Sequence, residues 1–139
     1  MKFQDFINEQ KVRKGSPDVQ LTRALVKMSD NHIHSIRELG VTEITSATIM
    51  VTYYEALREI VEAIAVIEGY KVYSHEAFAF FLKEKGEELI SSKFDRFRKI
   101  RNNINYYGKS IDINSAKENK QEIEKIIKEL KQKFLQDIV

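Results

Sequence analysis

Arg101-Asn102-Asn103-Ile104-Asn105-Tyr106 puts a guanidinium, three amides and a phenol within six residues. A guanidinium grips phosphate through a planar fork of N–H donors, and neighbouring amides can orient the same phosphate or a ribose hydroxyl. Arg98 and Lys99 add positive charge just upstream. From Ser91 to Lys109 there are six Lys or Arg against one Asp, a segment charge of +5, whereas the remainder of the chain sums to −3. The overall +2 conceals this asymmetry. A sequence pI near 8.7 fits a local patch for an anionic partner better than indiscriminate coating of nucleic acid.

The residues around this motif predict a helix. At about 100° per residue, Phe94, Phe97, Ile100 and Ile104 form an apolar stripe, and Arg101 lies only about 40° from Phe97. A guanidinium cannot shed its charge on burial. Arg101 therefore needs a partner inside the fold, a seam between elements, or a ligand. Arg96, Arg98 and Lys99 need no such explanation and read first as a solvated face. Glu55, Arg58, Glu59 and Glu62 share another predicted helix, and Glu55 is the acid expected to hold Arg101. Asn102, Asn103 and Asn105 are poor helix-interior residues, so their clustering marks a fraying end or a site. Asn105 falls nearly on the Arg101 face, whereas Tyr106 falls about 140° away. On that geometry Arg101 and Tyr106 meet only through helix distortion or across a dimer.

The elements that must position these residues are helices. One Pro, five Gly and no sustained apolar alternation give strands little support and predict an all-α, up-and-down bundle of four to five helices. With 139 residues, 42% of them hydrophobic, the chain reads as a single domain over 1–139. Ser16-Pro17-Asp18 reads as an N-cap and first turn, opening a helix that Gly40 closes. A second helix should run from Thr45 or Ser46 to Gly69 and form the centre of the core. It is apolar nearly all round from Ile60 to Ile67, and Tyr53 and Tyr54 are expected to fill the interior. Ser74 should cap a helix from His75 to about Lys85, ended or bent by Gly86. Ser92 with Asp95, and Ser115 with Glu118, resemble capping boxes for the basic helix and for a long closing helix. Met1 to Gln10 reads as a short leading helix.

Several chemistries are disfavoured. There are no cysteines, hence no disulfides or thiolate metal ligands, which fits a reducing compartment with the cytoplasm as default. Met1 to Gly15 lacks the apolar run of a signal peptide, and no stretch approaches the roughly 18 apolar residues of a membrane span. A soluble protein without membrane association is expected. His32 and His34, two apart, do not share a helix face and make a poor metal pair. His75 reads as a first-turn residue that would enter a site only if folding brought it there. No glycine-rich phosphate loop, HExxH or nucleophile elbow is present, so neither a metal nor a cofactor is expected.

The string from Arg101 to Tyr106, on the penultimate helix of a small all-α chain, resembles the HEPN superfamily. The family motif is an Arg, usually followed by Asn, with a His four to six residues later, and the likeness extends from about Pro17 to the C-terminus. It implies a metal-independent endoribonuclease, often a toxin, acting as a homodimer in which the motif helices of two protomers share one cleft. A minimal nucleotidyltransferase antitoxin would be its partner. Mapped onto this chain, Arg101 and Tyr106 occupy the catalytic positions, with Asn102, Asn105, Arg98 and Lys99 binding RNA or nucleotide phosphate and Glu55 in support. The departure is Tyr106, which stands where the family has His, and no histidine follows Arg101. A phenol with a pKa near 10 is only about one part in a thousand ionised at neutral pH, so binding should survive better than cleavage. The expected activity is RNA or nucleotide binding with impaired or altered endoribonuclease chemistry. The alternative is a non-catalytic interaction module that partners the nucleotidyltransferase.

Overall fold

The computed structural model describes residues 1–138 and is a helical bundle around one central helix. The helices are α1 (Phe3–Asn8), α2 (Val19–Ile36), α3 (Ser46–Ile67), α4 (His75–Glu84), α5 (Glu88–Tyr107) and α6 (Ile113–Phe134). Two short strands, β1 (Val12–Lys14) and β2 (Tyr70–Val72), pair antiparallel with Arg13 opposite Lys71. All-α is thus the class, with a small ribbon that sequence periodicity did not suggest. No helix of the described residues is long and apolar enough to cross a membrane.

α3 is the hub because it is apolar on nearly every side. Tyr53, Tyr54, Leu57, Ile60, Val61 and Ile64 are all buried, and α2, α4, α5 and α6 pack around them. Each such side chain contributes roughly 1.5–3 kcal/mol by leaving water. α6 returns along α3, delivering Ile123, Ile126, Ile127 and Leu130 to the core. α1 tucks Phe3 and Phe6 against the α4 aromatics Phe81 and Phe80.

Three expected helix starts move. Asp18, not Ser16, caps α2, its carboxylate accepting from the Leu21 N–H at 3.0 Å, which leaves Pro17 outside the helix. Ser92 and Asp95 lie inside α5, which begins at Glu88, a full turn earlier. The chain reverses at Gly86 (φ +84°), and the Glu87 N–H bonds back to the Leu82 carbonyl, so α5 starts as soon as α4 has ended. Asp112 rather than Ser115 caps α6, accepting from the Ser115 N–H at 2.7 Å. Where the expected ends carry Gly at a left-handed position they hold: Gly108 (φ +62°) closes α5.

Candidate phosphate site

The rotation of α5 is fixed at both of its packed surfaces. Ser91 Oγ donates to the Ala79 carbonyl of α4 at 2.5 Å, while Phe94 and Phe97 are fully buried against the core. With those residues facing inward, Arg101 falls over the seam with α3, its side chain only 16% exposed. The guanidinium lies 5.7 Å from the Tyr54 ring and 5.6 Å from the Tyr106 ring. Nη1 donates to Asn102 Oδ1 at 3.1 Å and to the Tyr106 hydroxyl at 3.2 Å. Arg101 and Tyr106 therefore meet within one chain and in an unbroken helix, correcting the expectation that distortion or a dimer would be required.

Arg101 is ion-paired with Glu55, but loosely. Glu55 Oε1 lies 3.5 Å from Nη2, beyond the usual 2.7–3.2 Å of an N–H···O bond. The other Glu55 oxygen accepts from Arg58 Nε and Nη2, both at 3.2 Å, and Arg58 also pairs with Glu62. Glu55 is thus committed first to Arg58. The Nε of Arg101 is buried and has no hydrogen-bond partner. That donor is sealed from solvent, and Nη1 and Nη2 make the contacts that the guanidinium has.

A second polar link adjoins it. Tyr54 is fully buried, and its hydroxyl lies 3.1 Å from His75 Nδ1, so α3, α4 and α5 contribute Tyr54, His75 and Arg101 to one continuous stack. Burial pushes the Tyr54 phenol up despite the nearby Arg101 charge. Burial, reinforced by Arg58 and Arg101, pushes His75 down to about 4. Both groups are neutral at pH 7.

The remaining predicted residues divide. Arg98 donates to Asp95 Oδ1 from Nε at 3.0 Å and Nη2 at 2.9 Å, and Lys99 Nζ lies 3.1 Å from Asp95 Oδ2. Burial alone would raise the Asp95 carboxyl, but the bonds from Arg98 and Lys99 outweigh it and hold the group below its ordinary range. Arg98 and Lys99 line a groove of about 490 Å³ between α4 and α5, with Glu76 and Ser92, whereas Arg101, Asn102 and Tyr106 are not among its walls. Asn105 is exposed, and its side chain makes no hydrogen bond among the described residues. His32 is bonded to the buried Glu59 at 2.8 Å, a pairing between α2 and α3. Two members of the site, Arg58 and His75, were not singled out for it by spacing. His75 lies 26 residues before Arg101, and only the packing of α4 on α3 unites them. No family model, curated protein or solved structure matches the chain.

Proposed function

We propose that the protein is a HEPN-like module that binds the phosphate of RNA or of a nucleotide at Arg101. One observation carries this reading: the guanidinium, 16% exposed, holds only a loose 3.5 Å ion pair to a carboxylate already engaged by Arg58. A phosphate offers Nη2 a closer acceptor than Glu55 does, and Asn102 and the exposed Tyr106 stand beside it to contact ribose or base. Metal-independent cleavage is the extended form of the reading, with Arg101 stabilising the charge of the phosphorane.

The test is fluorescence anisotropy with a labelled single-stranded RNA in EDTA across a salt series, with a gel assay for cleavage on the same samples. Binding should weaken steeply with salt and drop at least tenfold in Arg101→Ala. RNA affinity indifferent to Arg101 would falsify the reading. A second reading, an interaction module for a minimal nucleotidyltransferase, draws on the Glu55 approach and on Tyr106 in the histidine position. It predicts co-purification with that partner and no Arg101-dependent RNA binding.

A further inference from the structure

Tyr54 is fully buried, and His75 Nδ1 is the one acceptor its hydroxyl meets among the described residues. If Nδ1 carried the proton and donated to the phenol oxygen, the phenolic O–H would be buried without an acceptor, an arrangement costly enough to be rare. Satisfying both groups requires Tyr54 to donate and Nδ1 to accept. A neutral imidazole whose Nδ1 accepts must carry its hydrogen on Nε2. That atom has no protein partner among the described residues, and it is not among the sealed, unsatisfied polar atoms.

We propose that His75 is a second anchor of the phosphate site, a neutral Nε2–H donor locked in that tautomer by Tyr54, and that it acts as a donor and not as a base. The proposal rests on the reading of Arg101 as a phosphate ligand and deepens it by assigning the element that grips the ligand from the α4 side. The ring is joined to Arg101 through Tyr54, whose face the guanidinium covers at 5.7 Å and whose hydroxyl the imidazole holds at 3.1 Å. The charged groups around the ring are Arg58 and Glu55 on α3 and Arg98 and Arg101 on α5, a majority of cations that disfavours an imidazolium. His75 is also the first residue of α4, where the positive end of the helix acts the same way. Neutrality is useful here: an N–H donor on a neutral ring binds an anion without adding repulsion to Arg101. The lone pair needed to accept a proton from a ribose hydroxyl faces Tyr54 instead.

Two isosteres separate donor from base. His75→Gln places an amide N–H near the Nε2 position, whereas His75→Asn keeps an acceptor for Tyr54 and loses the donor. With the labelled RNA, His75→Asn should bind about tenfold more weakly and His75→Gln should recover most of that loss. Long-range proton–nitrogen NMR of histidine-labelled protein should report the Nε2–H tautomer for the signals that disappear in His75→Gln. Tyr54→Phe should release the ring to a tautomer mixture and weaken binding. Wild-type protein that fails to bind RNA overturns the phosphate reading and this inference together. Binding that depends on Arg101 but is equal in the two His75 variants overturns this inference alone, as does an Nδ1–H tautomer.

Discussion

Arg101 Nη1 donates to the Tyr106 hydroxyl at 3.2 Å although the two residues lie about 140° apart on an ideal helix. Side chains on a helix lean toward its N-terminus, so the Tyr106 ring covers the preceding turn, where the long arginine can swing to meet it. The ring is 67% exposed, and the guanidinium sits near one of its faces. The position where the resembled family carries its histidine is therefore in direct contact with the arginine of the motif.

On the proposed reading, replacing Tyr106 by histidine should add RNA cleavage to RNA binding. The imidazole would stand beside Arg101 with a pKa suited to accepting a proton at neutral pH, and general-base catalysis contributes on the order of 100- to 10,000-fold. Tyr106→His is expected to cut single-stranded RNA in EDTA by about that factor over the wild type, read on a denaturing gel. A variant that binds RNA normally and leaves it intact would remove Tyr106 from the reacting position.

On the proposed reading Glu55, paired with Arg101, would compete with an incoming phosphate, so neutralising it should help binding. Removing one negative charge a few ångströms from the anion is worth on the order of 1 kcal/mol after screening, or about fivefold in affinity. Glu55→Gln should tighten RNA binding by that factor, measured by anisotropy at low salt, while lowering stability slightly through the Arg58 pairing. Affinity that falls instead would mean that Glu55 positions the guanidinium for its ligand.

Much of the frame was legible because long helices advertise themselves by period. The stripe of Phe94 and Phe97 and the all-round apolar run from Ile60 to Ile67 became the buried faces of α5 and α3. The α5 start was misplaced because Ser92 and Asp95 match a cap pattern locally, whereas the Gly86 reversal and the packing of Ile90 and Ser91 decide the boundary. Three-residue strands carry too little alternation to be seen. Within the site, the Glu55 approach to Arg101 could be guessed from one polar stripe on α3. The partition of that carboxylate toward Arg58 depends on rotamers, and the arrival of His75 depends on tertiary packing.

The ribbon predicts its own weak point. Gly69 has φ +94°, its carbonyl accepts from the Gly15 N–H at 2.6 Å, and a Cβ there would collide with the Gly15 carbonyl oxygen. Gly69→Ala combines a disfavoured backbone with a backbone clash and should cost about 2–4 kcal/mol in urea unfolding. Gly86→Ala, at φ +84° with open space around it, isolates the conformational part and should cost about 1 kcal/mol. Equal losses in the two variants would show that the Gly15 contact relaxes without cost.

His75 should make the fold sensitive to mild acid. Its folded pKa is held at about 4 by burial and by Arg58 and Arg101, against an ordinary value of 6.5. Above about pH 6.5 the ring is neutral folded or unfolded and contributes nothing to pH dependence. Below that the unfolded chain takes up a proton that the folded chain refuses, so stability falls as pH drops from about 6.5 toward 4. The loss is at most about 3 kcal/mol and smaller to the extent that the half-buried ring remains solvated. Glu59 acts in the opposite sense: burial raises its carboxyl, which favours folding at low pH and withdraws that contribution as pH rises. The comparison is therefore wild type against His75→Gln, in which Glu59 is common to both. Urea unfolding between pH 7.5 and 4.5 should show a steeper decline in the wild type. Parallel curves would place the His75 pKa near that of a free imidazole and remove the basis for a ring kept neutral by its surroundings.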